Sequence, residues 1–189
     1  KDRIESVNRI MSNGYIISGY KNIITEESNN SQGLVLKLNL DGETEWETVL
    51  SLGEETNLYS VQQTEDLGYI VAGYIKFEDT EYFDTDLLVV KLNQTGNVEW
   101  YKTFGGDHRD KAYSIKQTLD LGYIIAGETN HNAWALRLDS NGNKIKEMIG
   151  EGEFGASYSV DITEQGGFVF AGERVKDAWV FTLDETEYE

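Results

Sequence analysis

The chain has 189 residues, of which 34 are acidic and 16 basic, giving a formal net charge of -18 at pH 7. This charge repels phosphate backbones and anionic headgroups, which argues against nucleic acid and membrane-surface partners. There is no cysteine, which excludes disulfides and cysteine-based metal sites. The chain also lacks an apolar run of about 18 residues, so membrane insertion is not expected. The simplest interpretation of the charge is a solvated acidic surface.

Four near-copies of one short segment organise the chain. Each carries a glycine followed by an apolar strand pattern, and the copies are NGYIISGY, DLGYIVAGY, DLGYIIAGE and GGFVFAGE. Their first glycines are Gly14, Gly68, Gly122 and Gly167, at spacings of 54, 54 and 45 residues. Periods in this range are typical of the blades of a β-propeller or of another stacked repeat array. The repeats run approximately over residues 5–57, 58–111, 112–156 and 157–189.

Each repeat begins with two short strands in the same order. In the first strand a serine precedes a β-branched residue, which suits a crowded inner edge where strands converge; the serines are Ser6, Ser60, Ser114 and Ser159. The second strand has an internal glycine, which marks a bulge or a close backbone approach. These glycines are Gly19, Gly73, Gly127 and Gly172.

The third strand of each repeat reads LVLKL, LVVKL, WALRL or WVFTL, with apolar residues at positions one, three and five. This period of two predicts a face buried between neighbouring sheets. Trp134 and Trp179 take the positions of Leu34 and Leu88, so we interpret them as packing residues rather than a sugar platform. A glycine turn then leads to a fourth strand in the first three repeats.

These patterns predict an all-β chain: a single β-propeller domain over residues 1–189, built from four four-stranded antiparallel blades, with the last blade one strand short. Three explanations of the short blade stay open. The ring closes with an imperfect blade, two chains complete each other as a homo-oligomer, or the chain is an arc of a longer repeat array. An open arc would leave unpaired strand edges.

The connections between the second and third strands are long in two repeats and short in the other two. In a propeller these connections share one face with the loops that join successive blades. Irregular loops on a rigid scaffold are where binding usually resides. The predicted binding face therefore comprises residues 21–33, 75–86, 105–111, 129–133 and 150–156.

The combination of GYIVAGY, LLVVKLNQTGNVEWYKTFGGDHRDKAYSI and LGYIIAG resembles the repeats of bacterial and archaeal β-propeller repeat proteins. The likeness covers nearly the whole chain, is best over residues 59–111 and is weaker in the last repeat. The resemblance implies the propeller fold and an extracellular or cell-surface placement. The absence of cysteine also fits a cytoplasmic protein, so the compartment stays open. The resemblance implies no particular activity.

Two polar clusters lie on the predicted binding face. One, residues 105–111, has five consecutive ionisable side chains, and the other, residues 78–86, has five carboxylates and two aromatic rings. A solvated turn is the simpler interpretation of the first cluster, and a flexible acidic loop is the simpler interpretation of the second. The second cluster has the oxygen ligands that Ca²⁺ takes, but not the register of a calcium loop. The candidate ligand-binding residues are Tyr74, Glu78, Asp79, Tyr82, Asp84, Asp86, Asp107, His108, Arg109, Asp110 and His131.

No catalytic motif is recognisable, and two histidines from different blades do not make a metal site. We therefore expect a non-enzymatic binding or display module, with no catalytic residues and no required cofactor, whose ligand is a protein or a glycan. The alternative is a structural repeat that pairs with another chain or with further repeats to complete the propeller.

Overall fold

The computed structural model describes residues 2–11, 13–24, 29–78, 84–150, 155–175 and 177–184. Every regular element among these residues is a β-strand, which confirms the all-β prediction. The strands are β1 Arg3–Arg9, β2 Tyr15–Ile24, β3 Asn29–Leu38, β4 Thr44–Leu50, β5 Glu55–Gln63, β6 Tyr69–Lys76, β7 Asp86–Leu92, β8 Val98–Phe104, β9 Asp110–Gln117, β10 Tyr123–Thr129, β11 Asn132–Leu138, β12 Lys144–Ile149, β13 Gly155–Ile162, β14 Phe168–Arg174 and β15 Asp177–Leu183. Within these ranges there is no apolar helix of membrane-spanning length.

Consecutive strands pair antiparallel and form four meanders, which we call unit 1 (β1–β4), unit 2 (β5–β8), unit 3 (β9–β12) and unit 4 (β13–β15). The prediction of four separate blade sheets, the last of them one strand short, is wrong in the number of sheets. The described strands form three sheets of eight, four and three strands, and these sheets do not close on one another. Units 1 and 2 share one sheet because Ser31 pairs in parallel with Glu55.

The shared sheet follows from a long hairpin in unit 1. The segment 21–33, predicted as a loop, is largely strand: Lys21 to Ile24 pair with Gln32 to Asn29. The extended hairpin brings Ser31 beside the start of β5, where its N–H donates to the Glu54 carbonyl at 3.3 Å. A loop predicted to bind a ligand is therefore partly an element of the scaffold.

In units 2 and 3, alternate residues of the second and third strands pack on opposite neighbouring units. In β6, Tyr69 and Val71 contact the core between units 1 and 2, while Ile70 and Ala72 contact the core between units 2 and 3. A third core lies between units 3 and 4. Trp134 is buried in the second of these cores, as predicted for a packing residue. The period of two in the sequence thus produces a stack of sheets with apolar layers between them.

The first strands of the units, β1, β5, β9 and β13, lie side by side along one edge of the stack. The repeated serines link some of them: Ser60 Oγ accepts a hydrogen bond from Ile115 N at 3.2 Å, and Ser114 Oγ accepts one from Val160 N at 3.3 Å. The serine position is therefore not merely small. In units 2 and 3 its hydroxyl accepts a hydrogen bond from a backbone N–H of the next unit.

We expect Ser114→Ala to destabilise the protein by about 1–2 kcal/mol, because it leaves the Val160 N–H unpaired at a half-buried site. Thermal unfolding should show this as a fall in Tm of about 2–8 °C. Ser140→Ala, in the exposed turn between β11 and β12, is the matched control and should leave Tm unchanged. Equal Tm values for the two variants would contradict the linking role of Ser114.

Candidate functional site

A β-bulge recurs at the same position in all four units. The pairing of the first strand with the second skips one residue, from Ile4 to Ser6 in unit 1 and at equivalent positions in the other units. The skipped residues are Glu5, Tyr59, Tyr113 and Tyr158. A bulge of this kind re-aims a side chain out of the regular alternation. Three tyrosines and one glutamate are thereby turned away from the ladder.

The glycines of the second strands face these bulges. At Gly73 an added Cβ would lie 2.8 Å from the Asn57 carbonyl carbon and 2.9 Å from Leu58 Cα. At the other members of the set, Gly19, Gly127 and Gly172, an added Cβ would also overlap a backbone carbonyl oxygen. This confirms the predicted close backbone approach. Glycine is required because the bulge brings the first strand onto the site that a side chain would fill.

The bulged side chains line a groove of about 560 Å³ along the inner strands. The rings of Tyr59 and Tyr113 stack at 5.7 Å with an angle of 21°, and those of Tyr113 and Tyr158 meet edge to face at 5.1 Å. Besides these rings and the bulged Glu5, the wall is mostly polar and includes serines and glutamines. This volume lies within the range of small-ligand sites, about 300–1,000 Å³. We call this row of rings the tyrosine band.

A layer of paired charges lies beside the tyrosine band at the loop end of units 2 and 3. The Lys111 ammonium is 3.8 Å from the centre of the Tyr74 ring, and the Tyr74 hydroxyl donates to Glu55 at 3.0 Å. Arg109 Nε and Glu128 Oε1 form an ion pair at 2.5 Å. The Tyr74 ring lies 5.8 Å from that of Tyr59, so the two layers are in contact.

The protonation states in this region follow from burial. Burial raises the pKa of Tyr59 to about 12 and that of Tyr158 to about 12, so both hydroxyls are neutral donors at pH 7. Burial, assisted by the Arg109 charge, lowers the pKa of Lys111 to about 8. The tyrosine band and the adjoining charged layer thus present aromatic faces, neutral hydroxyls, carboxylates and a half-buried ammonium. This set suits hydrogen bonding and stacking of a polar ligand.

Two loops of the predicted binding face join through backbone hydrogen bonds. Thr85 N donates to His108 O at 3.2 Å, and Asp110 N donates to Thr85 O at 2.7 Å. Asp110 is buried, and its Oδ2 accepts from Gly106 N at 2.9 Å. A methyl group added at Gly105 would lie within 3.0 Å of carboxylate oxygens of both Asp86 and Asp110. The Asp86 and Asp110 carboxylates therefore lie on either side of the position that a Gly105 side chain would take. The hydrogen bond from Gly106 N, which stabilises the turn, accounts for the placement of the Asp110 side chain.

The electrostatics of this pair are unfavourable to ionisation. Burial raises the pKa of Asp86, and the Asp110 and Asp84 carboxylates raise it further. Burial also raises the pKa of Asp110, although Thr129, the Gly106 N–H and His108 oppose this. The described residues include no group of three or more His, Asp or Glu side chains placed to hold a metal ion. Ionisation of Asp86 and Asp110 is therefore unfavourable, and the described residues identify no cation that would offset it.

The structure separates the predicted site residues into three sets. Tyr74 and Arg109 lie in the charged layer, and Asp84, Asp86 and Asp110 lie at the joined loops. The exposed residues, which no single contact brings together, are Glu78, Asp107, His108 and His131. Asp79 and Tyr82 lie outside the described residues. The predicted face is thus several local sites rather than one.

Sequence reasoning missed the tyrosine band. Its signal was nevertheless present, because tyrosine precedes the repeated serine in three units, as Tyr59, Tyr113 and Tyr158. In a regular strand a residue next to an inward serine would face the opposite side. Only the bulge places the tyrosines in the groove, and a bulge is not visible in an alternating pattern.

We expect Asp86→Asn to stabilise the protein by about 0.5–1 kcal/mol at pH 7. The folded-state pKa of Asp86 is raised, so its ionised form costs stability at neutral pH, and this cost disappears below the ordinary value of 3.8. The gain should therefore be present at pH 7 and absent near pH 3 in denaturant unfolding. Asp107→Asn, which removes an exposed charge in the adjoining loop, should change stability by less than about 0.5 kcal/mol.

The same two variants test Ca²⁺ at these loops. We expect millimolar Ca²⁺ to leave the Tm of the unmodified protein unchanged. A Tm that Ca²⁺ raises in the unmodified protein and in Asp107→Asn, but not in Asp86→Asn, would contradict this expectation and identify the Asp86 loop as a cation site.

The geometry of the groove and its charged layer is the basis for any functional assignment. Comparison with known protein families and with curated proteins found no match for this chain.

Proposed function

We propose that units 1 to 4 are successive blades of a β-propeller of the bacterial and archaeal repeat type, and that the protein is a non-enzymatic binding module of a secreted or cell-surface protein. Two features support the propeller: the antiparallel meanders stack face to face, and their first strands lie side by side along one edge. That edge corresponds to the wall of a propeller channel. The proposed placement outside the cell rests on the sequence resemblance alone.

The ligand site of this proposal is the loop end of the groove, where the tyrosine band meets the charged layer. One observation carries it: the same bulge in every unit turns a polar or aromatic side chain into one continuous groove. Tyrosine faces pack against the C–H surface of a sugar ring or against an apolar side chain. The adjoining hydroxyls and carboxylates supply hydrogen bonds to a glycan or a polypeptide. The ligand is accordingly a protein or a glycan.

Binding is a better proposal than hydrolysis for this groove. The carboxylates with raised pKa, Asp86 and Asp110, line neither the 560 Å³ groove nor the 420 Å³ cavity beside Gly105 and Gly106. Arg109 and Glu128 are already paired. A general acid must reach the bond that it protonates, and no carboxylate of raised pKa does so in either cavity. We assign the protein no cofactor.

The experiment is a binding screen of the purified chain against an array of immobilised glycans and an array of immobilised extracellular proteins. For any ligand found, Tyr113→Ala should weaken binding about 5- to 30-fold, which corresponds to about 1–2 kcal/mol of lost stacking and burial. Tyr101→Ala, on the outer strand β8 and exposed, is the matched control and should bind as the unmodified protein does. Unchanged affinity in Tyr113→Ala would exclude the groove as the site.

A further inference from the structure

The first unit has one sheet face without a neighbouring sheet among the described residues, and this face is apolar. Val7 is 60% exposed, whereas Val61, Ile115 and Val160, which hold the same repeat position, are each 1% exposed. The same contrast separates Ile4 from Leu58 and Tyr15 from Tyr69, since each first member is exposed and each second is buried. In units 2 to 4 these positions are covered by the preceding unit. Unit 1 thus has the contact residues for a preceding unit.

The fourth unit has the opposite face exposed. Val180 is 68% exposed, whereas Val35, Val89 and Ala135, at its repeat position, are at most 1% exposed. These three residues pack against the unit that follows. Unit 4 thus has the contact residues for a following unit. Exposed apolar sheet faces of this kind indicate an interaction surface.

The polar residues at the rims of the two faces are also complementary. The side chain of Gln63 accepts from Met11 N of the preceding unit at 2.8 Å, and that of Gln117 accepts from Glu65 N at 2.9 Å. Arg9 holds the position of Gln63 and Gln117 in unit 1, and Glu164 holds the position of Met11 and Glu65 in unit 4. If unit 4 preceded unit 1, Arg9 would lie beside Glu164. The Arg9 guanidinium only donates, so it would not accept from Glu164 N as the glutamines do from their neighbours, but it could pair with the Glu164 carboxylate. This places opposite charges together.

A serine hydroxyl is available for the same geometry. Ser60 and Ser114 each accept from the first strand of the following unit. Ser159, at their position in unit 4, is exposed and would accept from Val7 N of a following unit. The apolar face, the charge pair and the hydroxyl therefore all match one neighbour. That neighbour is a unit 1 placed after unit 4, in the order in which the units of one chain follow one another.

We propose that the exposed face of unit 4 binds the exposed face of unit 1 in a second copy of this chain, head to tail. We choose a second copy as the binding partner because, within the described chain, unit 4 has the exposed face that complements the exposed face of unit 1. The contact is heterologous: the unit 4 face of one copy binds the unit 1 face of the next. Two copies close a ring if the rotation permits, and larger assemblies form if it does not. This inference concerns the end faces and is independent of the groove.

The test is sedimentation equilibrium of the unmodified chain and of two variants, Val7→Asp and Val180→Asp. The unmodified chain should have the mass of a dimer or a larger species, and each variant should be a monomer, because a buried carboxylate at the interface costs most of the affinity. Both positions are exposed within one copy, so folding is preserved, and circular dichroism checks this. Leu119→Asp, at an exposed turn residue of unit 3, is the control that should associate as the unmodified chain does.

Mixing the variants separates this geometry from other modes of association. Val7→Asp retains the unit 4 face and Val180→Asp retains the unit 1 face, so an equimolar mixture should form a dimer and nothing larger. Arg9→Glu should weaken association at least about tenfold, and Arg9→Glu with Glu164→Arg should restore it to within about threefold of the unmodified chain. A monomeric unmodified chain, or a mixture that stays monomeric, would overturn the proposal.

Discussion

Replacing Gly73 by alanine is expected to destabilise the protein by at least about 3 kcal/mol, because the added methyl group has no space and nothing near it can rotate away. The Cβ would lie 2.8 Å from the Asn57 carbonyl carbon, 2.9 Å from Leu58 Cα and closer still to the Asn57 oxygen. All three atoms belong to the backbone of the bulged strand β5. Gly73 itself is buried in the centre of β6, with paired strands on both sides. Relief therefore requires the bulge to open, which also displaces Tyr59.

The measurement is thermal unfolding of Gly73→Ala, with Gly106→Ala as the matched control. An added Cβ at Gly106 has no atom within 4 Å, and its backbone N–H still donates to Asp110. Gly106→Ala should thus stay within about 0.5 kcal/mol of the unmodified protein. Gly73→Ala should unfold at least about 6 °C lower, or fail to accumulate in soluble form. A Tm within about 2 °C of the unmodified value would show that the close approach at Gly73 is not rigid.

Much of the fold was predictable from the sequence because the repeat imposes the same pattern several times. The alternating apolar residues of a third strand indicate which of its faces is buried. A glycine inside a strand pattern, as at Gly73, indicates a close backbone approach. Each of these is a local property of one strand. Such properties survive in the structure. The pairing of Ser31 with Glu55 was not predictable, because it depends on how far the hairpin of β2 and β3 extends. Polar residues fit an edge hairpin and a loop equally well.

The candidate site was predicted less well for a related reason. Loop residues such as Asp107 and His108 attract attention because they are charged and clustered, but they are exposed and make mainly local contacts. Tyr59 and Tyr113 sit inside strands, where the expected alternation assigns them to a packed face. Their position in the groove results from a register skip between paired strands. A single strand's sequence does not contain that information.

Arg137→Met is the second substitution for which we expect a large effect, a loss of about 2–4 kcal/mol, because it removes a buried cation that holds a turn. The guanidinium is 6% exposed, and it donates to the carbonyls of Tyr123 and Leu138 at 3.1 and 2.7 Å and pairs with Asp120 at 2.5 Å. Methionine fills a similar volume but makes none of these three hydrogen bonds. Lys91 makes the equivalent contact in unit 2, with Asp66 at 2.8 Å. Denaturant unfolding at pH 7 measures the loss.

The pH dependence of this variant distinguishes the ion pair from simple packing. Although partial burial raises it, the Thr118 hydroxyl, the Arg137 guanidinium and the Gly122 N–H lower the pKa of Asp120 to about 2. A lowered carboxylate pKa contributes stability that is present above the ordinary value of 3.8 and is lost as the pH falls through about 2. Because the Asp120 side chain is 53% exposed, solvent screening reduces the contribution of the pair to about 0.5–1 kcal/mol. The free energy of unfolding lost in Arg137→Met should therefore be smaller by that amount at pH 2 than at pH 7. The loss in Ser114→Ala, which involves no charge, should be the same at both pH values. A loss in Arg137→Met that does not depend on pH would assign the whole effect to the hydrogen bonds with the two carbonyls.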